Sequence, residues 1–134
     1  MNILLDTHMA LWMLRDANLV PARALELVAN PRNDLFVSVV SLWEVALKHM
    51  KNPGAMPVPG SLFRQKSEEA GYGVMNLEPS HVDALETLRC AEVEARHKDP
   101  FDRMLIAQSK AEGMLLLTHD EKLDLYGEPL VRVV

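Results

Sequence analysis

Short apolar runs alternate with amphipathic stretches along this chain. Asn2-Ile3-Leu4-Leu5 runs apolar and stops at Asp6, as a short buried strand does. Met9 to Arg15 has helical spacing, with Met9, Trp12 and Met13 along one stripe. Pro21 opens a second helix at the first-turn position proline favours, and that helix runs to about Asn30. Asn30-Pro31-Arg32-Asn33 is a turn, and the β-branched run Leu35–Val40 is the second strand.

Ser41 and Glu44 have the spacing of a capping box, so a helix is expected to open at Ser41 with Glu44 in its first turn. It should end near Lys51, ahead of Asn52-Pro53-Gly54. Residues 52–60 hold three prolines and two glycines and are a loop, and 61–70 have the pattern of a polar, exposed helix. Gly73–Leu77 is a third strand. Ser80 with Asp83 starts a helix whose buried stripe is Val82, Leu85 and Leu88. The next helix has Asp99 as N-cap, Pro100 at its first position and Asp102 at its third, and it stops at Gly113. Met114–Thr118 is a strand, Asp120–Tyr126 a short helical turn and Leu130–Val134 a last strand.

This alternation predicts an α/β fold with a mostly parallel sheet, and 134 residues make one domain, 1–134, with no internal repeat or linker. At 49% hydrophobic residues the chain can fill a core. Its one cysteine, Cys90, excludes an internal disulfide framework and is expected to be a buried, inert thiol. No apolar run approaches the roughly 18 residues of a membrane span, and the start lacks a signal-peptide pattern. The expected location is the cytoplasm.

A net charge of −5 argues against a nucleic-acid partner until the acids are placed. In a parallel α/β fold, strand C-termini and helix N-termini share the edge where ligands bind. Asp6 ends the first strand, and Glu44 opens the helix after the second. Asp99 and Asp102 open the helix before the fourth strand, and Asp120 follows that strand. All five fall on that edge, and without them the chain is neutral. Taken singly, Asp99 and Asp120 are good helix caps, and Glu44 with Lys48 is an ordinary surface pair. Asp6, ending an apolar strand, has few structural uses, and the shared edge favours a site. Two carboxylates about 5 Å apart repel by roughly 3 kcal/mol at an effective dielectric of 20. Such a group must hold protons or a cation, and an all-oxygen set suits Mg²⁺ or Mn²⁺ better than zinc.

At these residues the chain resembles the PIN-domain family, specifically the VapC-like toxins of bacterial type II toxin–antitoxin pairs. The resemblance rests on Leu4-Leu5-Asp6-Thr7-His8, on residues 38–48 (SVVSLWEVALK), on 98–108 (KDPFDRMLIAQ) and on 116–120 (LLTHD), in the family's order. It implies a three-layer α/β/α fold with strand order 3-2-1-4-5. It implies that Asp6, Glu44, Asp102 and Asp120 are the catalytic, metal-binding acids, Asp99 being the cap or an accessory ligand. Thr7, Ser41 and Thr118 match the family's hydroxyl residues beside the acids. The implied activity is metal-dependent hydrolysis of RNA by one or two Mg²⁺ or Mn²⁺ ions, leaving 5′-phosphate and 3′-hydroxyl ends. The implied partners are an RNA substrate, a cognate antitoxin and a second copy of the chain in a cytoplasmic homodimer.

Around the acids, Lys48 and Arg103 are expected to contact phosphate or to hold carboxylates in place. His8 and His119 are expected to be surface histidines beside the ligands, or else to touch substrate. Trp12 and Trp43 are expected to pack in the core, or else to serve a dimer or antitoxin groove, and residues 52–72 to govern substrate choice. Two other classes fit less well. A haloacid-dehalogenase site wants a second Asp where His8 stands, and a receiver domain wants an Asp after the third strand, where Glu78-Pro79 stands. A PIN fold that has lost catalysis and only binds RNA or protein remains as the alternative, against which all four core acids speak.

Overall fold

The computed structural model describes residues 1–134. Five strands, β1 (Asn2–Leu5), β2 (Asp34–Ser38), β3 (Gly73–Met75), β4 (Leu115–Thr118) and β5 (Val131–Val133), form one sheet in the order β3-β2-β1-β4-β5. Every neighbouring pair is parallel: Leu4 pairs with Phe36 and Leu116, Val37 with Val74, and Leu117 with Arg132. β1 and β4 are apolar at nearly every position because both their faces are covered. Ile3, Leu5, Leu115 and Leu117 point into one core, and Leu4 and Leu116 into the other.

Helices α1 (Thr7–Arg15), α2 (Ala22–Ala29), α3 (Val39–Lys51) and α4 (Gly60–Glu69) build the first layer, through Met9, Ala10, Ala24, Val45 and Phe63. The second layer is α5 (Pro79–Leu85), α6 (Cys90–Val93), α7 (Pro100–Glu112) and a 3₁₀ turn at Glu121–Tyr126, contributing Val93, Leu105, Ile106, Leu123 and Tyr126. The first layer closes tightly at Gly60. A Cβ there would stand 2.8 Å from Ala46 Cβ and 2.9 Å from the Leu42 carbonyl oxygen, so glycine lets α4 start against α3. No helix is long and apolar enough to cross a membrane.

Four local expectations change. The second strand stops at Ser38, not Val40, because the Ser38 hydroxyl caps α3 by accepting from the Val40 N–H. Ser41 is therefore not the cap, and Glu44 lies in the second turn of α3. The helix at 60–69 is not exposed throughout, since Phe63 and Ser67 are buried. The stripe expected of α5 keeps Leu85, and Leu88 just beyond the helix, but loses Val82. Glu78 and His81 make the capping box, and buried His81 also contacts Glu112 at 2.8 Å, so the inward face runs through His81, Ala84 and Leu85, and Val82 is exposed. Cys90 is half-buried rather than buried.

Candidate active site: a carboxylate cleft at the sheet edge

Parallel pairing brings the ends of β1, β2 and β4 to one edge, and the acids stand where the chain leaves it. Asp6 follows β1, its backbone N–H donating to the Leu117 carbonyl at 3.0 Å. Its Oδ1 caps α1 by accepting from the Met9 N–H, and its Oδ2 accepts from the Thr118 hydroxyl at the end of β4. Asp120 caps the last 3₁₀ turn through the Lys122 N–H, and its own N–H donates to Thr118 Oγ1. Thr118 thus ties the acids after β1 and β4 together.

Glu44 is 2% exposed, far from the solvated surface pair that its spacing to Lys48 alone suggests. Its Oε1 lies 2.8 Å from Thr7 Oγ1, which is itself 2.8 Å from Ser41 Oγ. A hydroxyl has one proton, so Thr7 donates to the carboxylate and accepts from Ser41. The other oxygen, Oε2, accepts from Lys48 Nζ at 2.5 Å. Asp99 caps α7, Oδ1 accepting from the N–H groups of Phe101 and Asp102. Asp102 lies in the first turn, where the helix dipole favours a negative charge, and its Oδ2 is 3.0 Å from His97 Nε2.

Asp6, Glu44, Asp99, Asp102 and Asp120 line one cleft of about 330 Å³, together with Lys48, His8, Trp12 and His119. The ligand atoms close enough to share one ion, all within 4.8 Å of one another, are those of Asp102 and Asp120 with His97, which lines the adjoining stretch of the cleft. Five carboxylates face one ammonium. Burial foremost, and then the charges of Asp99, Asp6, Glu44 and Asp120, push Asp102 up to about 8. Burial raises Asp6 as well, against the hydrogen bonds from Thr118 and Met9. Burial works against the charge of Lys48, but its bond to Glu44 and the nearby Asp99 and Asp102 outweigh this, and its pKa is raised. A cluster that makes one of its own carboxyls hold a proton at neutral pH is short of positive charge. Its five carboxylates fit a hard divalent cation.

Not every expected residue reaches the cleft. Arg103 turns away from it: Nε donates to the Tyr126 hydroxyl at 2.8 Å, and one terminal nitrogen donates to Glu94 and to the carbonyls of Cys90 and His97. Trp43 is 56% exposed, edge-on to Phe101, and so is not a core residue. Trp12 is half-buried and forms part of the cleft wall, edge-on to the rings of His8 and His119. His97 and Tyr126 went unassigned in the sequence, because nothing in its spacing shows that a side chain before the Asp99 cap folds back onto Asp102. The sequence likewise assigns no role to Lys98, which flanks the Asp99–Asp102 turn beside His97, or to Arg96 and Lys122. They line a continuation of the cleft that shares Asp99, Asp102 and Asp120 with it.

A family model described as PIN domain matches residues 3–129. Among solved structures, the chain is similar to one in the crystal structure of VapBC2 from Rickettsia felis bound to a DNA fragment from their promoter. That match has a TM-score of 0.69 and 18% identity, covering 100% of this chain and 98% of the other. It is similar to a chain of DNA-bound VapBC from Salmonella typhimurium (TM-score 0.68, 16% identity, 100% and 97% covered). It is also similar to a chain of VapBC-5 from Mycobacterium tuberculosis, a member of the VapBC family of toxin–antitoxin systems (TM-score 0.60, 17% identity, 99% and 97% covered). At these identities the structural likeness is one of fold. No curated protein sequence matches the chain. The family match, which spans nearly the whole chain, and the all-parallel sheet agree, and the chain belongs to the PIN domain family.

Proposed function

We propose that this chain is a metal-dependent endoribonuclease, the toxin of a type II toxin–antitoxin pair, hydrolysing RNA phosphodiester bonds as one PIN domain in the cytoplasm. The observation that carries this reading is the cleft itself: five carboxylates from distant parts of the chain around one lysine, with Asp102 pushed up to about 8 by burial first and by the other acids second. Family membership supports a nuclease, and the choice of RNA and of a toxin role rests on the likeness to VapC-like chains.

In this reading Asp6, Glu44, Asp102 and Asp120 hold Mg²⁺, for which Mn²⁺ can substitute. A cation bound there activates water and neutralises charge on the phosphate. The chain's own residues prepare that chemistry. Thr118 and the Met9 N–H fix the Asp6 carboxylate, Thr7 fixes Glu44 with Ser41 behind it, and Asp99 locks the first turn of α7 beneath Asp102. Asp102 must give up its proton for the site to load. Lys48, its ammonium at the cleft, is placed to exchange its Glu44 contact for a substrate phosphate, and Arg96, Lys98 and Lys122 give the strand a basic flank.

Two surfaces support the proposed partners. An apolar groove of about 310 Å³ runs between α1 and α4, lined by Leu11, Met56, Val58 and Leu62, and shares His8 and Trp12 with the acidic cleft. A segment of an antitoxin seated in that groove would lie beside the acids and could block them. Trp43, Leu47 and Met50 form an exposed stripe on α3 that a second copy would cover in a homodimer.

The test is incubation of antitoxin-free protein with total RNA in Mg²⁺, Mn²⁺ or EDTA, beside Asp6→Asn. Discrete fragments are expected with either metal, none in EDTA, and a loss of at least about a hundredfold with Asp6→Asn. Cleavage that survives EDTA or this substitution contradicts the reading.

A further inference from the structure

We propose that His97 is a positioning residue for Asp102: a neutral imidazole that, held in one tautomer by Tyr126 and Arg103, donates its Nε2–H to Oδ2 and turns Oδ1 to the cleft. This rests on the metal-site reading above. His97 is 8% exposed, and both its nitrogens have partners: Nδ1 is 2.7 Å from the Tyr126 hydroxyl and Nε2 is 3.0 Å from Asp102 Oδ2.

The direction of each bond follows from the far end of the chain of contacts. Arg103 Nε can only donate, and it does so to the Tyr126 oxygen at 2.8 Å. The phenol keeps one proton, and its only acceptor within reach is His97 Nδ1. Nδ1 is therefore bare, and the ring proton is on Nε2, facing Asp102. Arg103 is fixed in turn by Glu94 and by the carbonyls of Cys90 and His97, so the relay starts from an anchored donor.

The same polarity decides what His97 does not do. Its donor atom lies within 4.8 Å of those of Asp102 and Asp120, a spacing that by itself suits a third metal ligand. Ligation through Nε2 would need the proton on Nδ1, against a phenol oxygen already accepting from Arg103, and would strand the phenol proton. His97 is then an orienting donor behind an all-oxygen site, and it keeps the site selective for hard cations.

Two measurements test this. Long-range ¹H–¹⁵N spectra of the wild-type protein report which ring nitrogen of His97 carries the proton. Nε2–H is expected, with Tyr126→Phe mixing the tautomers, whereas Nδ1–H in the wild type overturns the proposal. Mn²⁺ affinity, read from the paramagnetic resonance signal of free Mn²⁺, is compared among wild type, His97→Gln and His97→Leu, with folding checked by circular dichroism. Glutamine can present an N–H near the place of Nε2 and is expected within about threefold of wild type, leucine tenfold weaker or more. RNA cleavage by the two should differ in kcat at saturating metal and less in KM. Equal Mn²⁺ affinity for leucine and wild type, or a glutamine variant as weak as leucine, overturns the role of His97. Wild type that binds no Mn²⁺ overturns the metal site itself, and is told apart because the tautomer is read without metal.

Discussion

Replacing Asp102 by Asn should stabilise the metal-free protein at high pH while ending its affinity for metal. The ordinary value for an aspartate is 3.8, and burial among the other acids raises Asp102 to about 8. Between those two values the folded chain binds a proton at Asp102 that the unfolded chain does not. Stability therefore falls as pH rises through that window, by at most about 1.4 kcal/mol per pH unit, and levels off above pH 8. Asparagine resembles the protonated carboxyl in shape and still accepts from His97, so no buried donor is orphaned. Its stability should lack this slope. From pH 5 to pH 8 the ceiling on the difference is about 4 kcal/mol, and relaxation around a partly hydrated side chain should leave roughly 2–3 kcal/mol. His97, lowered mainly by burial, adds a slope of opposite sign below its ordinary value of 6.5, but it is common to both proteins and largely cancels. The assay is urea unfolding in EDTA at pH 5, 6.5 and 8, followed by tryptophan fluorescence. Parallel stability profiles for the two proteins, or an advantage of Asn that shrinks as pH rises, would refute the reasoning. Added Mn²⁺ should restore the wild type at pH 8 and leave Asp102→Asn unchanged.

The same proton should be visible on metal binding: titration calorimetry in two buffers of different ionisation enthalpy should show close to one proton released per wild-type site at pH 7, falling toward none above pH 9. Thr118→Val keeps a β-branched strand residue but removes the donor to Asp6 Oδ2; it should weaken Mn²⁺ binding about ten- to a hundredfold, measured by the same titration, with the fold intact by circular dichroism. Gly60→Ala drives a methyl into Ala46 and the Leu42 carbonyl and should cost about 1–3 kcal/mol in urea unfolding, with kcat of the folded protein within a factor of two.

The order of strands and helices was legible in the sequence because buried parallel strands are short apolar runs and the helix caps are explicit. Asp6, Asp99 and Asp120 each begin a helix as well as a site, so the same residues marked element boundaries and chemistry. The errors fell where side chains made tertiary contacts that outweighed local preference. Val39 and Val40 look like strand residues, yet the Ser38 hydroxyl turns the chain into α3 one turn before the expected cap. That shift frees Ser41 to stand behind Thr7, and it carries Glu44 inward to a buried position. His81 takes a core place that an apolar stripe assigns to Val82, because Glu78 and Glu112 satisfy its ring nitrogens.

The acids could be placed at one edge by topology alone, since that needs only strand direction. What surrounds them could not. Lys48 follows from helical spacing, whereas Arg103 occupies a favourable position in the sequence and is drawn away by Tyr126 and Glu94. The relay through residues 103, 126, 97 and 102 depends on a 3₁₀ turn packing against α6 and the first turn of α7, and no motif in the sequence announces it.

The central claim is that Asp6, Glu44, Asp102 and Asp120 together hold the catalytic cation. Diffraction from crystals soaked in Mn²⁺, recorded at the manganese absorption edge, tests it most directly. An anomalous peak within coordination distance of these carboxylates, absent from Asp102→Asn crystals, is the predicted result. A peak at another surface, or one that includes His97 Nε2 in place of Asp6 and Glu44, would contradict it.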